Sequence, residues 1–400
     1  MFDRTPDIAA FEIKNCAEVA TYIKRHDVAC EYRAVTGCRT FWTDELLKEA
    51  IHAVQDLKKQ APDIGADVDV VTDKAELHKH WVSASCPGAT LTKGAASLWP
   101  YKYVAHILES LIRAGALNLQ TNTPATSIQR TSTAGHARWT VSTPRGALAA
   151  RHVLLATNAH TSHLAPSFAD LVVPCRGTMT ALLPPPQQQR RAVLLPHSYG
   201  LVGRGPGAHP AADDYLVQRP FAAVPNPAGH LMFGGGRAAG RRESVGDADD
   251  AVVDPGCVGY LRSVLLECLD VGGDDEDPPR GPLDAEYAWS GVMGYSRDNA
   301  PWVGELPGAA GLWICAGYTG HGMPNATLCA KAVVDMMDAE ERGQLLSFQD
   351  ALVERGDLPW SYVLSQKRID ACRQLPSVKA QDESGVMSFV SHSSWVKEKQ

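Results

Sequence analysis

The sequence predicts an α/β fold of mixed α+β character, and three observations lead there. Residues 1–170 alternate short apolar runs with segments of helical periodicity. Residues 171–290 read as a succession of antiparallel strands. Near the C-terminus a strand, a glycine-rich turn and a helix follow one another without a break. Alternating strands and helices build a sheet covered by helices, whereas consecutive strands build a separate mixed or antiparallel sheet.

Taken in order, Thr5-Pro6 opens a helix, with Thr as cap and Pro in the first turn. Its apolar positions are Ile8, Phe11, Cys16, Val19, Ala20 and Ile23. Strand character follows at Cys30–Val35 and again at Arg39–Trp42. Thr43 caps a second helix, Asp44 and Glu45 favour its positive end, and Leu47, Ala50, Ile51, Val54 and Leu57 form its inner face. Val68–Val71 is a short strand, and Thr72 or Asp73 starts a small helix. Trp99-Pro100 opens the next helix, which has Val104, Ile107, Leu108 and Leu111 on one side and Gly115 as C-cap. Three strands come next: Leu117–Thr121, Ala137–Ser142, and Leu148–Ala150 leading into Val153–Ala156. Further on, Tyr215–Arg219, Leu231–Phe233 and the Arg237 region read as antiparallel strands, and Tyr260–Leu269 as an amphipathic helix. Pro184–Pro186 with Gln187–Gln189 reads as a solvent-exposed loop, Asp274–Pro279 as an acidic solubilising loop, and Ser384 onward as a loosely held tail.

The totals exclude several classes of function. A net charge of −7 and a pI near 6.1 argue against a nucleic-acid partner. No apolar run approaches the roughly 20 residues of a membrane span, and the N-terminus lacks the order of a signal peptide. The expectation is a soluble, cytoplasmic protein. The 10 cysteines are scattered, without a CxxC pair or zinc spacing, and are expected to be buried reduced thiols. His78 and His80 point to different sides of a helix and are expected at the surface, not as metal ligands. There is no GxSxG, HExxH or Walker loop.

The chemistry concentrates between Glu286 and Met337. The strand Leu312–Ala316 breaks at Gly317, the turn GYTGHGMPN follows, and from Ala326 the spacing is helical through Leu328, Ala332, Val333 and Met336. A helix starting there offers backbone N–H groups and the positive end of its dipole. Gly317, Gly320 and Gly322 carry no side chain to keep a flat ligand from that backbone. These properties suit a planar, electron-rich, partly anionic group.

This stretch, with SRDNAPWVG and GLWICAGYTGHGM, resembles the C-terminal flavin segment of FAD-dependent oxidoreductases of the D-amino-acid oxidase, glycine oxidase and sarcosine oxidase type. It is most similar to the amine-oxidase branch that includes gamma-glutamylputrescine oxidases. LNLQTNTPATSIQR, RHVLLATNAHTSHLAP, VVPCRGTM, YLVQRP and LMFGGGR extend the resemblance over most of residues 1–345. It implies an FAD/NAD(P)-binding-type domain interrupted by a mixed-sheet substrate domain. The expected divisions are 1–95 (N-terminal helices and the first part of the substrate domain), 96–170 (FAD-type segment), 171–290 (substrate domain), 291–345 (C-terminal FAD-type segment) and 346–400 (tail). The implied cofactor is FAD. Main chain near Thr126 and Ser127 would meet the adenine side, and Ala156, Thr157, Asn158 and Ala159 would line the phosphate and adenosine part. Gly317, Gly320, His321, Gly322 and Met323 would meet the reduced ring. His321 has two readings, a positive charge beside the reduced pyrimidine or a structural histidine.

Two departures from the family pattern matter. The GxGxxG loop that receives a pyrophosphate normally opens such a fold, yet the first glycine here is Gly37. The chain is therefore expected to be N-terminally truncated, starting after the opening βαβ unit. Gly203–Pro210 and Gly234–Ala239 do not replace it, because no apolar helix follows either cluster. Secondly, relatives that oxidise amino acids grip the carboxylate with an arginine shortly before SRDNAP. The corresponding position is Met293, whose thioether forms no ion pair, while Arg297 nearby keeps a carboxylate substrate open. The resemblance implies oxidation of a C–N bond in an amine or amino-acid-like metabolite, with oxygen as acceptor. The alternatives are a non-catalytic, FAD-free binding protein derived from such an oxidase, or an incomplete gene product.

Overall fold

The computed structural model describes residues 6–131, 138–204, 212–240, 244–271 and 281–376; the first helix begins at Pro6, and its expected cap Thr5 lies outside the described residues. Helix α1 (Pro6–His26) buries Phe11, Asn15 and Ile23. Strand β1 (Arg33–Phe41) merges what the sequence divides into two runs. Thr43 Oγ1 accepts the Leu46 N–H at 3.3 Å and starts α2 (Asp44–Gln60); α3 (Pro62–Gly65) and β2 (Val68–Val71) follow. Asp73 caps α4 (Lys74–Lys79) by accepting the Glu76 N–H at 2.9 Å. Strand β3 (Gly88–Ser97) escapes sequence reading because its small residues show no clear alternation. Helix α5 (Pro100–Arg113) ends before Gly115, whose φ is +67°.

Leu117–Thr121 is not a strand, since none among the described residues lies beside it to take its hydrogen bonds. Strands β4 (Ser127–Arg130), β5 (Trp139–Thr143) and β6 (Gly146–Ala150) form a small antiparallel sheet. Strand β7 (Val153–Leu155) leads through Thr157 into a 3₁₀ turn, Asn158–His160, and then α6 (Thr161–Leu164). Strand β8 (Val172–Leu182) is followed by α7 (Pro186–Arg191), not by a solvated loop. Gln188 there is buried and donates from Nε2 to the Val193 carbonyl at 3.0 Å. Next come β9 (His197–Val202), β10 (Asp213–Gln218) and β11 (Leu231–Gly235). The Arg237 region is not a strand either: Gly235 and Gly236, at φ +133° and +67°, turn the chain out of the sheet into a 3₁₀ turn, Arg237–Ala239.

The remaining elements are α8 (Pro255–Cys268), β12 (Ala285–Ser296), β13 (Trp302–Glu305), β14 (Leu312–Ala316), α9 (Ala326–Glu341), α10 (Leu345–Glu354) and α11 (Gln366–Arg373). The acidic stretch 274–279, most of the glycine cluster 203–210 and the segment from Ser384 onward lie outside the described residues.

Eight strands form one sheet in the order β12-β8-β11-β10-β9-β1-β3-β2, parallel only between β1 and β9. Residues 171–290 thus do not form a sheet of their own, because β1, β2 and β3 complete it. One face is covered: Leu182, Tyr199, Leu201, Leu216, Leu231 and Phe233 meet Leu261, Val264, Leu265 and Cys268 of α8. His80 is drawn inward to this side, its Nδ1 2.9 Å from Nε2 of His197, while His78 stays at the surface. A second sheet, β13-β14-β7, has β14 and β7 parallel and β7 at its edge. Its two sides hold the core around Trp302 and Phe168 and the core where Phe11, Leu328 and Val333 meet.

Residues 345–376 are docked rather than trailing. Arg368 donates to both carboxylate oxygens of Asp298, at 2.8 and 3.0 Å, and stacks 3.8 Å above the Trp302 ring. Burial would raise the Asp298 carboxyl, but Arg368 outweighs it and holds the group below the usual range. Helix α5 is the opposite case. No residue of it is buried, and Val104 and Leu111 on its apolar stripe are 48% and 41% exposed. Its spacing calls for a covering surface, and the contact seen is a partial one, Tyr22 of α1 against Tyr103 and His106.

Candidate active site

The carboxyl ends of the parallel pair β7 and β14 converge on the glycine-rich turn. Asn158, just past β7, accepts the N–H groups of Gly317 and Tyr318 on its Oδ1, at 2.9 and 3.4 Å. Thr319 fixes the other flank, donating its N–H to the Gly294 carbonyl at 2.8 Å and accepting the Ser296 N–H at 3.0 Å. The turn is thereby tied to the exit of β7 and to β12 together. At Gly317, with φ +80°, a Cβ would lie 3.0 Å from Trp302 and 3.2 Å from Val172, so the protein itself requires glycine there. Gly322 differs: a Cβ would meet only Tyr318 carbons at 3.7 Å, an ordinary contact. At Gly320 a Cβ would lie 3.7 Å from the Tyr295 hydroxyl and 4.0 Å from Met293 Sδ. Glycine at 320 and 322 thus leaves a shallow recess that a side chain at either position would fill at ordinary contact distance.

The start of α9 is less bare than its sequence suggests. Asn15 of α1, fully buried, accepts the Leu328 N–H at 3.0 Å and donates to the Met323 carbonyl at 3.1 Å. The Ala326 N–H is taken by the Gly322 carbonyl at 2.8 Å. Asn325 donates to Glu12 and to the His321 carbonyl, at 2.8 and 2.9 Å, and accepts from Tyr362 at 3.0 Å. Helix α1 thus sets the turn's position. His321 Nδ1 lies 3.1 Å from the Thr319 carbonyl, which only accepts, so the proton sits on Nδ1.

Opposite the turn lies the face of the large sheet that no helix among the described residues covers. Arg39, Gly200, Tyr215, Gly234, Met179 and Trp289 run in register across six strands. Tyr215 is 49% exposed, and its alternation with buried Asp214 and Leu216 puts Asp213 on the same open side. Arg39 Nη2 donates to Asp213 Oδ2 at 3.1 Å. Arg237 places its guanidinium 5.1 Å from the Tyr295 ring centroid and donates to Cys175 Sγ at 3.4 Å. Desolvation pulls the Asp213 carboxyl upward, but Arg39, His321 and Arg237 together hold it below the usual range. Burial pushes the Tyr295 phenol up to about 12 against the opposing Arg237 charge, leaving a neutral hydroxyl beside Gly320.

A family model described as "FAD dependent oxidoreductase" matches residues 3–336. The chain belongs to that family. The probable oxidoreductase OrdL of Rhizobium meliloti is 26% identical over 243 residues, covering 61% of this chain and 47% of that relative. The chain thus spans about half the length of the curated relative it matches. Among solved structures, glycine oxidase from Geobacillus kaustophilus aligns with TM-score 0.63 at 19% identity, over 83% of this chain and 78% of that one. Iminodiacetate oxidase from Chelativorans gives 0.61 at 15% identity, over 85% and 82%. L-Proline dehydrogenase from P. horikoshii gives 0.60 at 15% identity, over 84% of each chain. At such identities the likeness is one of fold.

Within this FAD-dependent oxidoreductase fold, Met293, Gly317, Gly320, His321, Asn158 and Ala159 come together at one place, and Ala156 and Thr157 lie at its margin. Met323 contributes its carbonyl to Asn15, while its side chain is 59% exposed. Thr126 and Ser127 belong to the small sheet, where the Thr126 N–H is taken by the Ser142 carbonyl at 2.8 Å. Arg297 lies elsewhere. Its guanidinium donates to the Leu375 and Arg373 carbonyls and to Asp170, clamping the segment after α11. A carboxylate-gripping role for Arg297 does not fit that placement. The sequence reading assigns no site role to Arg39, Asp213, Arg237, Tyr295 or Asn15. Only the two-residue alternation of DDYLVQ, which puts Asp213 beside Tyr215, was there to find.

The fit to FAD is uneven. The Gly320–Gly322 turn has room for a ring edge, whereas the N–H groups of Ala326 and Leu328 at the start of α9 are already taken by Gly322 and Asn15; Asn158 and Ala159 lie at the exit of β7. For the pyrophosphate, the 400 residues hold no GxGxxG loop followed by an apolar helix.

Proposed function

We propose that the chain acts in FAD-dependent oxidation of a C–N bond in an amine or amino-acid-like metabolite, with oxygen as acceptor. The observation that carries this reading is the facing of the Gly317–Met323 turn and the open sheet across Tyr295 and Met293. When bound, the flavin supplies the hydride-accepting chemistry, and the protein orients it and sets its polarity. The chain's own groups have separable tasks. The bare backbone at 320–322 admits the ring edge, and His321 stands beside it with Nδ1 protonated. Asn158 holds the turn, and Met179, Tyr215 and Trp289 lie in one register row across the sheet face opposite it.

A second reading, a FAD-free binding protein descended from such an oxidase, is favoured by a partly covered α5, edge strand β7 and the missing phosphate loop. Purification with excess FAD, followed by gel filtration and anaerobic addition of amines and amino acids, separates the two. Retained absorbance at about 450 nm that bleaches with an amine supports oxidation. A chain that emerges colourless at every FAD concentration overturns it and leaves the second reading.

A further inference from the structure

His78 and His80 are two residues apart, and only His78 stays at the surface, paired with Asp270 at 3.1 Å. His80 ends α4 and turns toward β9, with its ring 5.0 Å from that of His197 and its Nδ1 2.9 Å from His197 Nε2. His197 is 9% exposed, its buried Nδ1 makes no regular hydrogen bond among the described residues, and the Thr36 backbone acts on the ring as an acceptor. The same place joins three elements. The Tyr199 hydroxyl donates to the His80 carbonyl at 3.0 Å. Trp81 follows in the left-handed region, at φ +61°, where a bulky residue stays only if its surroundings hold it. Its carbonyl accepts the Asp270 N–H at 2.9 Å, and Ser83 donates its N–H to the Cys268 carbonyl at 3.0 Å. Helix α4, strand β9 and the end of α8 thus meet at His80, over the core that holds Leu77 and Val82.

Between the two facing nitrogens there is room for one proton. The neutral pair holds it, and so does the pair with one added charge. A charged His80 still donates from Nδ1 to His197 Nε2, and its Nε2–H points to Glu76 Oε1, 3.7 Å away. A second added proton sets N–H against N–H and puts like charges on adjacent rings. The groups around the pair do not offset that charge. Glu76 of α4 is shared with Lys79 at 2.6 Å and has Asp73 behind it. Strand β9 presents the neutral phenol of Tyr199, with the Cys38 thiol of β1 beyond it. Asp270, after α8, is engaged by His78. Burial, together with the His80 charge, holds the His197 imidazole below its usual range.

We propose that the His80–His197 pair is a one-proton latch on the junction of α4, β9 and α8, closed with no added charge or one, and forced open by the second. A histidine whose folded value lies below its unfolded one stabilises the closed state above the unfolded value, and that stability is lost as pH falls through the folded value. The latch is therefore secure at neutral pH and gives way as pH drops below 6.5, the ordinary imidazole value. Opening loosens α4 and the Trp81 turn from the covered side of the large sheet, and leaves the glycine turn untouched.

Hydrogen exchange of the full chain, read by mass spectrometry between pH 8 and pH 5 and corrected for the intrinsic pH dependence of exchange, tests this. Peptides covering residues 74–86 should exchange at least about tenfold faster at pH 5 than at pH 7, while those covering residues 326–341 keep their protection. His197→Gln leaves an oxygen where Nε2 accepts and cannot take the second charge. His80→Asn leaves an amide where Nδ1 lies, whose oxygen can accept from a charged His197. Each variant should stay protected over residues 74–86 at pH 7 and lose the acid sensitivity, which a merely structural contact would not do. Protection over residues 74–86 that is constant with pH in the natural chain overturns the latch, as does acid loosening of the same size in a folded variant. Where one variant does not fold or is loose at pH 7, the other decides, and looseness of both at pH 7 marks a packing contact and also overturns it.

Discussion

Replacing Asp214 by asparagine should remove a loss of stability that the natural chain suffers as pH rises. Asp214 is buried on the covered face of β10, with Oδ1 accepting the Gly236 N–H at 2.7 Å. The Tyr260 hydroxyl lies 2.7 Å from Asp214 Oδ2 and also touches the Arg204 carbonyl. Tyr260 has one proton and a carbonyl can only accept, so both contacts are satisfied when Asp214 is protonated and donates to the Tyr260 oxygen. Burial pushes this carboxyl up to about 7, against the Gly236 and Tyr260 contacts, and the Asp213 charge adds to the rise. Its unfolded value is 3.8, so between the two the native state holds a proton that the unfolded chain has lost. Stability from this group is complete below the unfolded value and drains away as pH climbs through 7. Integrating from pH 5 to pH 8 gives a loss on the order of 3 kcal/mol. An asparagine at this position cannot ionise, yet its amide oxygen and nitrogen reproduce both hydrogen bonds. Urea unfolding of the two proteins at pH 5, 6, 7 and 8 reads the difference directly, because the other titrating groups cancel. Asp214→Asn should gain roughly 2–3 kcal/mol on the natural chain across that range. Parallel stability curves would show that Asp214 is ionised in the native state, and the Tyr260 argument would be wrong.

Other consequences are simpler to state. Arg368→Met strands the Asp298 carboxylate and should cost about 3–5 kcal/mol in urea unfolding. The lowered Asp298 pKa means that the stability the pair provides above the unfolded carboxylate range is lost as pH falls through the folded value, so acid unfolding should be compared in the same pair of proteins. Asn15→Ala removes one bond to the start of α9 and one to the Met323 carbonyl, and should cost about 2 kcal/mol together with faster amide exchange around Gly320–Met323. Gly322→Ala meets no close neighbour, so its unfolding midpoint should hardly move while flavin affinity falls at least about tenfold, read by fluorescence titration.

Much of this fold was legible because its signals are local. The caps at Thr43 and Asp73, the apolar run Leu312–Ala316 and Gly115 after α5 each depend on residues within one turn, and each lies where the sequence put it. Illegible features depend on partners distant in the chain. Strand β3 exists because β1 and β2 flank it, and Leu117–Thr121 fails to be one for want of a neighbour. The site divides similarly. Its glycine turn is a contiguous motif, whereas Arg39, Asp213 and Arg237 meet only after the intervening chain has been folded back across the sheet. Arg297 shows the converse: closeness to Met293 in sequence does not bring its side chain into the site, because carbonyls after α11 take its donors.

The uneven fit to FAD has a measurable consequence that does not depend on turnover. On the proposed reading the Gly320–Gly322 turn would meet the ring, and Asn158, tied to Gly317 and Tyr318, would lie on the approach to the phosphates. The dinucleotide's two phosphates are ordinarily held by a glycine loop and the helix N-terminus behind it. Here the chain offers at the exit of β7 only a short 3₁₀ turn, Asn158–His160, whose first residue is already committed to Gly317 and Tyr318. FAD should therefore gain little over riboflavin when each is titrated into the purified full chain. Dissociation constants within about tenfold of one another correspond to less than about 1.4 kcal/mol from phosphates and adenine together. Such a small gain should also be nearly insensitive to salt between about 50 mM and 500 mM, since a pyrophosphate bound by screened charges would lose affinity over that range. FAD binding a hundredfold tighter than riboflavin, or a steep salt dependence for FAD alone, would reveal a phosphate site that these residues do not show.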